Sequence, residues 1–437
     1  MKRIKLTLAF LIAALLLLSP AAALTLPEID AVSAIVVEKT TGETLFEQNA
    51  DEKRSQASIT KVMTALVALE YGDPQSTVTV SQSALKGLPE MGSSVYLIAG
   101  EEMSFMDMLR YVLIASGNDG SNALAEHISG TQEEFVALMN TMAKSLGMTS
   151  TQYINTHGLT QEGHYTTARD TVKLCMEAMD NPTFREIVCE TEVVLPVTNK
   201  HAETTRKFTT NYLLSVQSQS GYRYEGAEGI KTGNTTAAGR CLASSLRKDD
   251  LWFFTVVLGG REREDGKLTS FTETIKLFDF VSASFSMQTM LKSTEPITTI
   301  PLRLAADKES VQLQPENSVS ALLPKDFAGL DDPKLELVIE AQVEGVDAPV
   351  VVGQPLGRLT VKYDGRVYAN MDLVSAEAIE RSEVLHVLDN VGGFFTSTTF
   401  KVIIGVLFGV IALFIGYVFL VNHRRKKKRQ RYGRRVR

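Results

Sequence analysis

The feature that most limits how this chain can fold is an uncharged apolar run of 20 residues, Val402 to Val421. At about 1.5 Å per residue it is long enough to cross a bilayer as a helix. A basic run follows at once, with ten Lys or Arg and no acid between Arg424 and Arg437. Positive flanks stay in the cytoplasm, so the body of the chain is expected outside a single span. The other end carries a second address. Lys2, Arg3 and Lys5 precede an apolar run of 13 residues, Leu6 to Leu18, and Ala21-Ala22-Ala23 offers small residues for cleavage. Residues 1–23 read as a secretory signal peptide. Only the stretch between these addresses is left to build a soluble fold.

That body is acidic. The two ends and Lys401 hold 14 of the 45 basic residues, leaving 31 against 51 acids, a net charge of −20. Such a body does not bind nucleic acid through its overall charge. Three cysteines cannot form a disulfide scaffold, although pairing of Cys175 with Cys189 stays open; Cys241 reads as a core thiol. The six histidines include no His-Glu-x-x-His, so no metal site is expected, and His157 and His164 read as satisfied loop residues.

From 26 to 286 strand and helix patterns mix. Ala31–Glu38 and Thr44–Gln48 predict a hairpin around Thr40-Thr41-Gly42. Val62, Ala65, Leu66 and Leu69 predict a helix over 58–70, and further helices are expected at 106–114, 122–128 and 271–285. Strands are expected at 239–246 and 252–258. The pattern is α+β, one antiparallel sheet covered by helices. Residues 296–375 lose the helical period and predict a small all-β domain, with a hairpin around Asp364-Gly365. An amphipathic helix over 376–390, within a juxtamembrane stretch 376–400, leads to the span at 402–421 and a basic cytoplasmic tail at 422–437.

Three short motifs stand in order within the first domain: Ser58-Ile59-Thr60-Lys61, Ser116-Gly117-Asn118 and Lys231-Thr232-Gly233. A serine hydroxyl needs a base within hydrogen-bond reach to act as a nucleophile. Lys61, one helical turn on, shares the face of Ser58. Lysine serves as a base only when burial or a nearby cation lowers its pKa, and Lys231 is a candidate for that cation. Ser116 is placed to relay a proton between Lys61 and a leaving amine. A helix start offers free N–H groups to an oxyanion. Gly233 permits a substrate backbone to approach the strand edge, and Lys231 with Thr232 suits a carboxylate. The chemistry is acyl transfer from a substrate with a free carboxylate near the scissile bond.

These motifs resemble those of the penicillin-recognising serine enzymes. Ser58 lies 58 residues before Ser116, which lies 115 before Lys231. Gly229-Ile230-Lys231-Thr232-Gly233-Asn234-Thr235, with Ala238-Gly239, is similar to the serine D-Ala-D-Ala carboxypeptidases among them. So are Thr156-His157-Gly158-Leu159, Tyr165-Thr166-Thr167-Ala168-Arg169-Asp170 and Asn211-x-Leu213-Leu214. Residues 296–375, with Ala348-Pro349-Val350 and Gly353-x-x-x-Gly357, resemble the small β domain of that family.

The resemblance implies a penicillin-binding, β-lactamase-like catalytic domain that trims the terminal D-Ala from peptidoglycan stem pentapeptides. β-Lactam antibiotics would acylate the same serine, and no cofactor is implied. Ser58 would be nucleophile, Lys61 base and Ser116 the third active-site residue. Asn118, Lys231, Thr232, Gly233, Asn234 and Thr235 would contact substrate, and the N–H groups of Ser58 and Asn234 would form the oxyanion hole. Two departures stand out. Some relatives carry an Arg three residues before the Leu-Leu pair, where this chain has Thr210. Many are held by an amphipathic C-terminal helix, where this chain has an uninterrupted apolar run.

Two alternatives stay open. A class A β-lactamase deacylates with a glutamate about 36 residues after the second motif. This chain reads Thr151-Gln152-Tyr153-Ile154-Asn155 there, without one. A penicillin-binding sensor or wall scaffold is the non-enzymatic alternative.

Overall fold

The computed structural model describes residues 26–89, 93, 97–214, 221–341 and 344–433. The expected signal peptide lies outside them. The described residues divide into two compact units, one running to Ser286 with Leu322–Lys325, the other made of Met287–Ala321 and everything from Asp326.

The first unit is built on five strands. β1 (Ser33–Glu38) and β2 (Thr44–Gln48) form the expected hairpin. A single 3₁₀ turn, Ala57–Ile59, leads into helix α1 (Thr60–Tyr71). Helix α2 (Asn118–Ser129) and helix α3 (Ala168–Asp180) follow. β3 (Ala227–Thr235), β4 (Gly239–Lys248) and β5 (Leu251–Gly260) form an antiparallel meander, and helix α4 (Thr269–Ser284) closes the unit. The sheet order is β2-β1-β5-β4-β3, antiparallel throughout, with β3 on one edge. Asp249 and Asp250 join β4 to β5 with positive φ at both positions, 52° and 63°, the turn whose twist matches a tight hairpin.

Both faces of this sheet are buried, so its strands read as near-continuous apolar runs. Ala34 and Val36 of β1 enter one core with Phe253, Val257 and residues of α4. Ile35 and Val37 point the other way and join Phe254, Val256 and α1. The period-two side-chain alternation of a strand feeds two cores from one sequence. Helix α1 is central, not amphipathic: Thr60 through Ala68 are all buried, Lys61 among them. The helix read from periodicity at 58–70 thus starts two residues later, and Ser58 sits on the 3₁₀ turn.

In the second unit a six-stranded sheet carries Val311, Leu313, Leu359, Val361 and Leu373 in its interior. Its longest hairpin turns at Asp364-Gly365, with φ of 50° and 78°. Beyond it the amphipathic helix spans Glu383–Thr396 and so begins later than Ala376. A further helix, Thr398–Gly433, follows; Thr398–Lys427 is long and apolar enough to cross a membrane.

Candidate active site

Ser58 is presented by a strained turn. Ala57 has φ 49°, a region that costs a non-glycine residue energy unless its surroundings impose it. Two glycines leave room for it. A Cβ on Gly158 would stand 1.9 Å from the Ala57 carbonyl oxygen, and one on Gly233 would stand 2.7 Å from that of Gln56. Gly233 was expected to admit a substrate backbone. Its lack of a side chain first admits the turn that carries Ser58, whose own N lies 3.2 Å from that missing Cβ.

Ser116 is strained as well. The helix Phe105–Arg110 continues into a π turn, Tyr111–Ala115, and ends at Ser116 with φ 63° and ψ 35°. Such turns are frequent at functional sites. Tyr111 fixes this one. Its ring fills the space where a Gly117 side chain would be, and its hydroxyl donates to Asp119 Oδ1 at 2.6 Å. Asp119 Oδ2 in turn accepts from Leu97 N–H.

Lys61 Nζ is the centre of the arrangement. It lies 3.0 Å from Ser58 Oγ, 2.7 Å from Asn118 Oδ1 and 2.8 Å from the His157 carbonyl oxygen. The last two atoms can only accept. A neutral amine has two N–H groups and one lone pair. In that form both N–H groups would go to Asn118 and His157, and the lone pair would face the Ser58 hydroxyl. Burial holds the Lys61 pKa well below its ordinary value, and the nearby Lys231 charge lowers it further, against an opposing pull from Asp119.

Lys231 is itself buried, with a long contact to the Thr232 carbonyl oxygen at 3.3 Å, and burial lowers its pKa to about 7. His157 and His164 are neutral: burial lowers them to about 3 and about 4. His164 Nδ1 accepts from Ile154 N–H, so its Nε2 proton is directed at Thr60 Oγ1, 2.9 Å away. Cys175, Cys189 and Cys241 are free.

A cleft of about 290 Å³ opens over Ser58 and Ser116 and runs along β3 past Thr232, Gly233 and Asn234. Lys61, Asn118 and Lys231 lie beneath it rather than on its wall. Asn118, expected at the substrate, is turned to Lys61. Thr235 sits apart, its hydroxyl accepting from Thr160 and from Ala238 N–H. Thr210, where some relatives have Arg, lines the cleft and hydrogen-bonds Thr232. None of the described residues on the cleft wall is a carboxylate. The sequence reading missed the His157 carbonyl, the Tyr111–Asp119 brace and the packing role of Gly233; the first and last join distant parts of the chain, and the brace, eight residues apart, spans a π turn that periodicity does not announce.

Residues 20–262 match the family model described as D-alanyl-D-alanine carboxypeptidase, and residues 285–381 match that of the penicillin-binding protein 5 C-terminal domain. The chain is 31% identical to the D-alanyl-D-alanine carboxypeptidase DacF of Bacillus subtilis, over 84% of this chain and 90% of that one. It is 32% identical to DacC of Escherichia coli, with 84% and 86% covered. The crystal structure of DacD from Francisella tularensis superposes with a TM-score of 0.61 at 25% identity, covering 84% of this chain and 98% of the other. The chain belongs to the D-alanyl-D-alanine carboxypeptidase family.

Proposed function

We propose that Ser58, with Lys61 as its base, carries the serine carboxypeptidase reaction of this family, releasing the terminal D-Ala of peptidoglycan stem pentapeptides. The position of Lys61 Nζ, 3.0 Å from Ser58 Oγ with the Asn118 and His157 carbonyl oxygens as its other two partners, is the observation that carries the reading. Ser58 Oγ attacks the carbonyl carbon between the two D-Ala residues, and its proton passes to Lys61 Nζ. The N–H groups of Ser58 and Asn234 take the oxyanion. Collapse breaks the C–N bond, and Lys61 returns its proton through Ser116 to the departing amine. Water then cleaves the ester on Ser58, freeing the acid and restoring the hydroxyl. Thr232, Gly233 and Asn234 form the substrate-binding edge on β3, with the buried Lys231 beneath it.

β-Lactams would acylate the same oxygen. Their leaving amine stays tethered, and none of the described residues on the cleft wall is a carboxylate that could serve as a second base to hydrolyse the ester. We therefore favour slow penicilloyl release, which separates this reading from a β-lactamase. The helix over Thr398–Lys427 supports a single-pass anchor with the catalytic unit outside the cell. The test is release of free D-Ala from a pentapeptide by the detergent-solubilised chain, with Ser58→Ala as control. Ser58→Ala is expected to lose both D-Ala release and penicillin labelling; retention of either refutes the assignment.

A further inference from the structure

The tip of a two-stranded hairpin, Glu192–Leu195 with Thr205–Phe208, grips a segment 97 to 100 positions earlier in the chain. Asn199 Oδ1 accepts from Glu102 N–H at 2.9 Å, and Asn199 Nδ2 donates to the Gly100 carbonyl oxygen at 2.8 Å. Between these contacts Glu101 is buried. Its Oε1 accepts from Thr198 Oγ1 at 2.9 Å and from His201 Nδ1 at 2.8 Å, and its Oε2 accepts from Ile98 N–H at 3.0 Å. The tip is pinned in turn: Thr198 N–H donates to the His201 carbonyl oxygen, and Thr198 Oγ1 accepts from His201 N–H.

Leu97, Met103, Leu195 and Pro196 line the same small cavity as the Glu101–His201 pair. In such surroundings a carboxylate that loses a donor bears the full penalty of its burial. Three directed donors on one buried carboxylate fix a single register of the two segments, which an apolar contact would not. Each gripped piece leads to one wall of the cleft. On one side Leu97 N–H donates to Asp119 Oδ2 at 3.2 Å, and Asp119, braced by Tyr111, lies three positions after Ser116. On the other side the strand Thr205–Phe208 runs into Thr209, whose N–H donates to the Thr191 carbonyl oxygen, and then into Thr210, which hydrogen-bonds Thr232 on β3. Ser116, Thr210 and Thr232 all line the cleft; Glu101 and His201 do not.

We propose that Glu101 and His201 are positioning residues whose clasp sets the separation of the two cleft walls, tying the Ser116 loop to the Thr210–Thr232 side. The inference rests on the carboxypeptidase reading and adds to it two residues outside the cleft. Neither touches substrate. They act through Leu97 and Asp119 on one wall and through Thr210 on the other.

The test uses the full chain in detergent and separates the first-order rate of penicillin acylation from the dissociation constant of the complex that precedes it. Kinetics of D-Ala release are measured alongside. His201→Ala and Glu101→Gln should each lower the acylation rate and kcat by roughly 10-fold, short of the about 10²-fold of a full ångström's misplacement. The dissociation constant and KM should stay within about twofold, the mark of lost positioning rather than lost binding. His201→Asn, which keeps an N–H donor near the place of Nδ1, should recover most of the rate. The double variant should be no slower than the worse single one, because both break the same clasp. A pair that only stabilised the fold would lower the urea midpoint and leave the rates of the folded chain unchanged. The His201 side chain is 38% exposed, so its variants decide the question if Glu101→Gln does not fold. Rates within twofold of wild type in the folded single variants overturn the proposal, as do losses that multiply in the double variant. A wild-type chain that is acylated by penicillin but releases no D-Ala overturns the underlying reading instead.

Discussion

Replacing Lys231 with Met should make the protein more stable, and the gain should depend on pH. The side chain is buried, and its pKa of about 7 lies well below the ordinary 10.5. Below about pH 7 both folded and unfolded chains hold the proton, and the folded state bears the full cost of burying an ammonium. Between about 7 and 10.5 the folded state has lost the proton that the unfolded chain still binds. Stability therefore climbs with pH by up to about 1.4 kcal/mol per pH unit, and the whole window is worth about 5 kcal/mol at most. Met fills similar volume without a charge, so the variant lacks this slope. Its advantage is largest at low pH and shrinks as pH rises through the window. Lys61 adds to the effect with the same sign, because losing its charged neighbour relieves part of its own depressed pKa. Urea unfolding followed by the fluorescence of Trp252, the single tryptophan, reports on β5 in the catalytic unit. A stability difference that stays flat from pH 7 to 10 would show that Lys231 is buried without electrostatic cost and would refute the reasoning.

Gly233→Ala places a methyl 2.7 Å from the Gln56 carbonyl oxygen and pushes on the turn that carries Ser58. Penicillin labelling should slow by about 10²-fold, as for a nucleophile moved by a fraction of an ångström to an ångström, while Trp252 fluorescence stays native. A chain ending before Lys401 loses the apolar helix and should fractionate as a secreted soluble protein. If it still behaves as an integral membrane protein, the anchor lies elsewhere.

Much of the site was legible because its chemistry is local. Ser58 and Lys61 are three residues apart, and a helical turn brings Oγ and Nζ to 3.0 Å. The Lys-Thr-Gly run announced a strand edge, and Asp364-Gly365 announced its hairpin. What stayed hidden depends on distant parts of the chain. Nothing near Lys61 shows that the His157 carbonyl, 96 positions on, accepts from its Nζ. Nothing near Gly233 shows that its missing side chain makes room for Gln56. Periodicity placed a helix over 58–70 but not the 3₁₀ turn at its start, because that turn needs the space left by Gly158 and Gly233, which lie far along the chain. The helix expected from Ala376 begins at Glu383, where Ser382 caps it by accepting from Leu385 N–H.

The central claim is that neutral Lys61 takes the proton of Ser58, and the pH dependence of penicillin acylation tests it most directly. In the wild-type chain the acylation rate should rise with the loss of one proton, at a pKa well below the 10.5 of a free lysine. The adduct should map to Ser58. Lys61→Ala should abolish that rise and slow acylation by at least about 10²-fold. An adduct on another serine, or a Lys61→Ala chain that acylates at near wild-type rate with the same pH profile, would contradict the account.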